Sequence, residues 1–125
     1  MGLFRVRVRV FDLKDETRWR DVEMLVDTGS NMAVVPRDAV RELGLVPVEF
    51  RKFTLANGLE IVRPVGRAGL ATAGRSTACD VVLGEPADAA ILGAIPLEGM
   101  GLEVDPQRKE LRPAVQYLLK ADAIA

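Results

Sequence analysis

Asp27 is the residue in this chain that most invites a chemical reading. It follows the apolar run Met24, Leu25 and Val26 directly and is followed by Thr28, Gly29 and Ser30. A carboxylate at the end of a buried strand, where the backbone turns, is held rigidly. Exclusion adds weight to it. The chain contains no histidine, so a hydrolase that activates serine or cysteine with an imidazole base cannot be built within it. A zinc site would lack both imidazoles and paired thiolates, and the sequence holds no acidic cluster suited to a hard cation. The expectation is no metal and no cofactor, with carboxylates left to act as acid and base. The plain reading is that Asp27 caps a turn while Thr28 and Ser30 satisfy local backbone groups.

The elements that must position Asp27 are strands. Phe4, Val6, Val8 and Val10 alternate with Arg5, Arg7 and Arg9, the period of a strand with one wet face. The arginines read as a solvated face that discourages edge pairing. Residues 12–17 are turn-like, and 19–26 supply a hairpin partner. Residues 33–35 form a short strand, after which Pro36 suits the first turn of a helix and Gly44 its stop, with Val40 and Leu43 facing inward. Residues 48–55 and 59–65 flank Asn57-Gly58, which predicts a hairpin closed by a two-residue type I′ turn. A further turn at 73–75 leads into a strand over 78–83, and a loop over 85–88 precedes an apolar run at 90–92. One helical turn over 96–100, short strands at 102–104 and 111–113, and helical spacing over 114–123 complete the reading. Trp19 is assigned to core or dimer surface, and Cys79 to packing.

Leu25-Val26-Asp27-Thr28-Gly29-Ser30 resembles the active-site signature of aspartic proteases, two apolar residues before Asp-Thr/Ser-Gly. Ile91-Leu92-Gly93 resembles the later apolar-apolar-glycine element that lies beneath the active loop, at the separation found in one retroviral-type subunit. Between them, residues 52–64 fall where such proteases carry a flap. The resemblance covers about residues 3–111 and implies a mostly β, retropepsin-like closed β-barrel (the acid protease fold) with one or two short helices. It implies a homodimer that cleaves peptides, Asp27 of each subunit supplying one carboxylate of a pair. Thr28 would lock the two loops together, Gly29 would admit substrate backbone, and Ser30 would bond near the carboxylate. Leu55, Ala56, Asn57, Gly58 and Leu59 would form the flap, and Val34, Ala89 and Ile91 would line side-chain pockets. Two departures stand out. The flap tip has a single Gly58, which implies a stiffer lid. The arginine that usually follows the later glycine, bracing the dimer through an acidic residue, is replaced by Ala94, with Asn31 at the partner position.

The 125 residues read as one domain over 1–125, with a C-terminal extension from about residue 113. Seventeen basic and eighteen acidic residues leave no electrostatic footprint for nucleic acid or an anionic membrane. The first ten residues read as neither a secretory signal nor a membrane span, and one cysteine forms no internal disulfide, which together suit a cytoplasmic home. Two other functions compete with peptide hydrolysis: a weakly active or inactive dimeric peptide-binding or assembly module, and a structural domain in which Asp-Thr-Gly is incidental.

Overall fold

The arginine and valine alternation becomes strand β1 (Phe4–Asp12), with Val8 and Val10 sealed in the core and Arg5, Arg7 and Arg9 exposed. The computed structural model describes residues 3–119. β1 pairs antiparallel with β2 (Asp15–Val26), which starts earlier than expected because residues 15–18 extend the hairpin beyond the body. Trp19, opposite Phe11 in that hairpin, is 45% exposed, so of its two readings, core or dimer surface, the core one is corrected. The Arg9 guanidinium lies 3.6 Å from its ring centroid, a contact made at the surface.

After β2 come β3 (Ala33–Val35) and α1 (Arg37–Leu43). Pro36 occupies the N-cap with extended backbone, and Gly44 closes the helix with φ of 66°, the left-handed geometry that glycine adopts without a Cβ clash. Ala39, Val40 and Leu43 are its buried face. β4 (Glu49–Thr54) and β5 (Glu60–Thr72) form the next hairpin. β5 runs well past the expected end at Val65, straight through Pro64. It first pairs with β4 alone, then with β6 (Arg75–Leu83) from Val65 onward.

The two-residue turn expected at Asn57-Gly58 is found instead at Ala73-Gly74. At 55–59 the Gly58 N–H bonds to the Leu55 carbonyl and the Leu55 N–H to the Leu59 carbonyl, which makes a three-residue connection. Gly58 alone takes positive φ, at 86°, so the type I′ expectation for Asn57-Gly58 is corrected. Asn57 instead accepts the Leu59 N–H through Oδ1 at 3.0 Å. The two-residue turn with both φ positive is Ala73-Gly74, at 52° and 75°, between the paired Thr72 and Arg75.

β7 (Ile91–Leu92), α2 (Ala94–Gly99), β8 (Leu102–Asp105) and β9 (Glu110–Pro113) complete the order. α2 begins two residues before the expected turn, directly at Gly93. Residues 114–119 have no regular structure, so the expected helix is absent there, and its remainder lies outside the described residues.

The strands close into a ring, β1-β2-β7-β3-β6-β5, sealed by pairing of β5 with β1 at Val10↔Leu70 and its neighbours; β4 stands outside it. β8 and β9 form a separate two-stranded sheet. Phe11 faces Gly69 across the seam, and its ring occupies the space that a Cβ at Gly69 would need. Met24, Leu70, Leu92, Val35 and Val81 fill the centre, each such burial contributing roughly 1.5–3 kcal/mol. Cys79 packs at the edge of this core as expected, its thiol pushed up to about 11 by burial first and then by Asp80.

Candidate active site

The segment bearing Asp27 is placed by a strand threaded between its two ends. β2 runs into Asp27 and β3 leaves shortly after, yet the two do not pair; β7 lies between them, parallel to β2 at Leu25↔Ile91 and antiparallel to β3 at Val34↔Ile91. The Leu25 N–H bonds to the Ala90 carbonyl at 2.9 Å and the Asp27 N–H to the Leu92 carbonyl at 3.0 Å. From the other side, the Ala94 N–H reaches the Ser30 carbonyl at 2.8 Å and the Ile95 N–H the Asn31 carbonyl at 2.9 Å. Where the resemblance led one to look for an arginine brace, backbone bonds clamp the loop within the subunit.

Gly93 makes this clamp possible. A Cβ there would come within 2.4 Å of the Met32 carbonyl oxygen and 2.6 Å of that of Ser30, distances no real side chain tolerates. The later apolar-apolar-glycine element therefore lies directly under the Asp27 loop, Leu92 fully buried and Gly93 in backbone contact.

The Asp27 side chain is half-buried and oriented from below. Its Oδ1 accepts the Gly29 N–H at 3.0 Å, and the Ser30 hydroxyl donates to Oδ2 at 3.5 Å. The Ser30 N–H returns to the Asp27 carbonyl at 3.1 Å, closing the turn. A Cβ on Gly29 would sit 3.1 Å from Oδ1, so glycine here also keeps the carboxylate uncrowded. Thr28 is exposed on the same turn.

Asp27 opens into a cleft of about 580 Å³, within the range of small-ligand and peptide side-chain sites. Gly29, Ser30, Val34, Ala89 and Ile91 line it as the sequence led one to expect, and Leu55 and Ala56 of the hairpin reach it. Asn57, Gly58 and Leu59 are exposed and lie off the lining. Several lining residues escaped the sequence reading: Met32, Phe53, Ile61 and Val82 make the wall apolar, and Arg63 with Asp88 makes one part of it charged. The register pairs Phe53 with Ile61 and Arg51 with Arg63, so strand alternation could have put Phe53, Ile61 and Arg63 on the inward face. Asp88 sat in what read only as a Glu-Pro-Ala-Asp turn.

Asp88 is the second carboxylate in the cleft lining, and it is fully engaged. Arg63 donates Nε to Oδ2 at 2.7 Å and Nη2 to Oδ1 at 3.0 Å, and the Glu85 N–H adds a third bond to Oδ2 at 2.8 Å. The Arg63 hydrogen bonds, reinforced by the Glu85 N–H and the nearby positive charge, hold the Asp88 carboxyl below the usual range despite its partial burial.

A model of the family described as aspartyl protease matches residues 6–94, from β1 to the start of α2, and so covers the ring, the hairpin and the Asp27 loop. The chain belongs to the aspartyl protease family. It is a peptidase by that membership. No curated protein matches it significantly. Among solved structures it is similar to the protease of simian foamy virus (mac), with a TM-score of 0.53 and 16% identity over 76% of this chain and 92% of that one. At that identity the likeness speaks for the fold, a ring of strands of retroviral protease type. The family match stops short of β8, β9 and the tail. Among the described residues no helix is long and apolar enough to cross a membrane.

Proposed function

We propose that this aspartyl protease is an endopeptidase active as a homodimer, with one Asp27 from each subunit flanking a single water. The observation that carries the reading is the contrast between the two carboxylates of the cleft. Asp27 is oriented by its own turn toward open space, whereas Asp88 accepts three hydrogen bonds and is held in its ionised form. Asp88 is therefore a poor proton donor, and the second acid of a pair has to come from a second copy.

Two carboxyls about 3 Å apart share one proton, because both cannot ionise cheaply at that separation. The ionised Asp27 takes a proton from the water, whose oxygen attacks the peptide carbonyl carbon. The protonated Asp27 gives its proton to the carbonyl oxygen, leaving a tetrahedral diol. A proton then passes to the amide nitrogen, the C–N bond breaks, and acid and amine products leave. The Gly29 N–H and Ser30 hydroxyl orient the carboxylate. Leu55 to Leu59 form the lid that limits water, and Val34, Ala89 and Ile91 receive substrate side chains.

Dimerisation draws support from what surrounds the loop. Thr28 is exposed beside Asp27, and Ile95, whose N–H clamps Asn31, is 50% exposed. An isologous contact there would bring loop to loop. We read the chain as a single protease domain followed by an extension from about residue 113, and as cytoplasmic, since its one half-buried cysteine leaves the fold independent of an oxidising compartment.

The test is peptide cleavage by the wild type and by Asp27→Asn, together with the sedimentation mass. A dimer whose cleavage vanishes in the variant and is blocked by a statine-type transition-state mimic supports the reading. Cleavage by a monomer, or cleavage surviving the substitution, rejects it. The single Gly58 and the missing arginine after Gly93 favour a second reading, a dimer that holds peptides with little turnover. That reading requires peptide affinity in both proteins and cleavage in neither.

A further inference from the structure

We propose that the ion pair between Arg63 and Asp88 is a latch that fixes the stem of the lid hairpin to the wall of the cleft, making both side chains positioning residues for substrate capture. The inference rests on the reading of residues 55–59 as a lid over Asp27.

The lid is a lever, and the latch sets where it pivots. β5 leaves the ring at Val65, which pairs with both Glu49 and Val82; toward the tip, β4 becomes its single strand neighbour. Arg63 lies two residues out along that lever, with its side chain 20% exposed against an Asp88 side chain 23% exposed. The contact is bidentate, which fixes orientation as well as distance. It also ends on a braced base. The Asp88 N–H bonds back to the Glu85 carbonyl, and the Glu85 N–H bonds to the Asp88 carboxylate. The Glu85 carboxylate in turn accepts Arg37 Nη2 at 2.6 Å, while Arg37 Nε holds the Gly84 carbonyl at 3.0 Å. A continuous chain of hydrogen bonds thus runs from the lid stem through residues 84–88 to α1.

The opposite strand is tied separately. Arg51, directly across from Arg63, bonds to Glu49 and reaches Asp80 of β6 at 3.4 Å. Two guanidiniums facing each other repel unless each has its own counterion, and here each does. With both stems anchored, the free lever is limited to about residues 53–62. Asp88 also precedes Ala89 directly, so the latch sets the gap between lid and pocket wall.

The test is hydrogen exchange of amides over 54–65 together with peptide-cleavage kinetics, in Arg63→Met, in Asp88→Asn, and in the conservative Arg63→Lys. Arg63→Met and Asp88→Asn should each speed exchange in the lid stem about tenfold while core amides of β1 and β2 stay protected. Each should raise KM several-fold with kcat within about twofold, because the lid is loosened rather than the carboxylate moved. Arg63→Lys, which keeps a charged contact to Asp88 without the bidentate fork, should recover part of both. Unchanged stem exchange in both Arg63→Met and Asp88→Asn, or exchange rising uniformly across core and lid, overturns the latch. A faster-exchanging stem in a protein that cleaves no peptide upholds the latch and counts against the catalytic reading alone.

Discussion

The Asp27 loop, residues 27–31, and the hairpin tip, residues 55–59, which reaches the same cleft through Leu55 and Ala56, are held in opposite ways. The first segment is fixed by backbone: β7 bonds it from below, the first residues of α2 bond it from the side, and Gly93 lets the chains touch. The second is reached only through the strands that carry it, and those are anchored by side-chain ion pairs at their stems. Backbone ties to buried strands leave few alternative conformations, whereas side-chain ties can open without unfolding the ring. The difference is what the proposed hydrolysis would require of its parts, a carboxylate held in place and a cover that lets substrate pass.

The comparison breaks hardest at Asp27. Asp27→Asn keeps the shape of the turn, since an amide oxygen can still accept the Gly29 N–H, while removing the carboxyl that exchanges protons in the proposed mechanism. The value of kcat should fall on the order of a thousandfold or more, with the thermal midpoint close to that of the wild type. A variant that keeps its cleavage rate would show that the clamped loop serves some other purpose. Next comes Gly93→Ala. Its Cβ would meet two carbonyl oxygens at 2.4 and 2.6 Å, so the loop has to lift. Denaturant unfolding should report a loss of about 2–3 kcal/mol, and cleavage should fall with it because Asp27 moves. A neutral outcome would show the loop to be as adaptable as the lid.

Much of the ring of strands was legible in the sequence, for a physical reason that also explains what was not. Strands with one wet face announce themselves by alternation, so β1 was placed to within two residues and β2 at its Val26 end but not at its start, while the short β3 was placed to the residue. The Asp27 loop and its companion Ile91-Leu92-Gly93 were found because short backbone-defined elements leave tight sequence signatures. The lid was harder. Asn57-Gly58 reads as a two-residue turn by propensity, but the register of β4 on β5 places three residues in the connection and leaves only Gly58 left-handed. Arg63 and Asp88 went unseen because 25 positions separate them and their meeting depends on how β5 passes the loop before β7. Helical spacing in Val115, Leu118 and Leu119 misled as well, since over 114–119 these apolar side chains are exposed and meet no face that would reward a helix.

The stem of the lid offers a smaller and pH-dependent test. Asp88 is held below its ordinary carboxyl range, first by its hydrogen bonds to Arg63. A carboxyl with a depressed folded-state value stabilises the fold above its unfolded value and loses that contribution as pH falls through the folded one. The stability gap between wild type and Asp88→Asn should therefore be full at neutral pH, at about 1–2 kcal/mol for a bidentate, partly buried pair. It should persist through mild acid and close only below about pH 4. A gap that closes already near pH 6 would mean that the stem is governed by some other group.

The smallest effect belongs to the tip. Gly58 carries a φ of 86° with no atom within 4 Å of the position a Cβ would take. Gly58→Ala therefore meets no steric wall and bears only the cost of a left-handed backbone, about 1 kcal/mol. Chemical denaturation should register that loss while kcat stays near the wild-type value, because the turn can relax without disturbing Phe53, Ile61 or Arg63. Set beside Gly93→Ala, the pair asks one question of two glycines, one kept for its conformation at a free tip and one kept for contact under a clamped loop. If the tip substitution lowered kcat as much as the substitution under the loop, the lid would be a fixed part of the catalytic apparatus, and the division between a clamped loop and a hinged cover would fail.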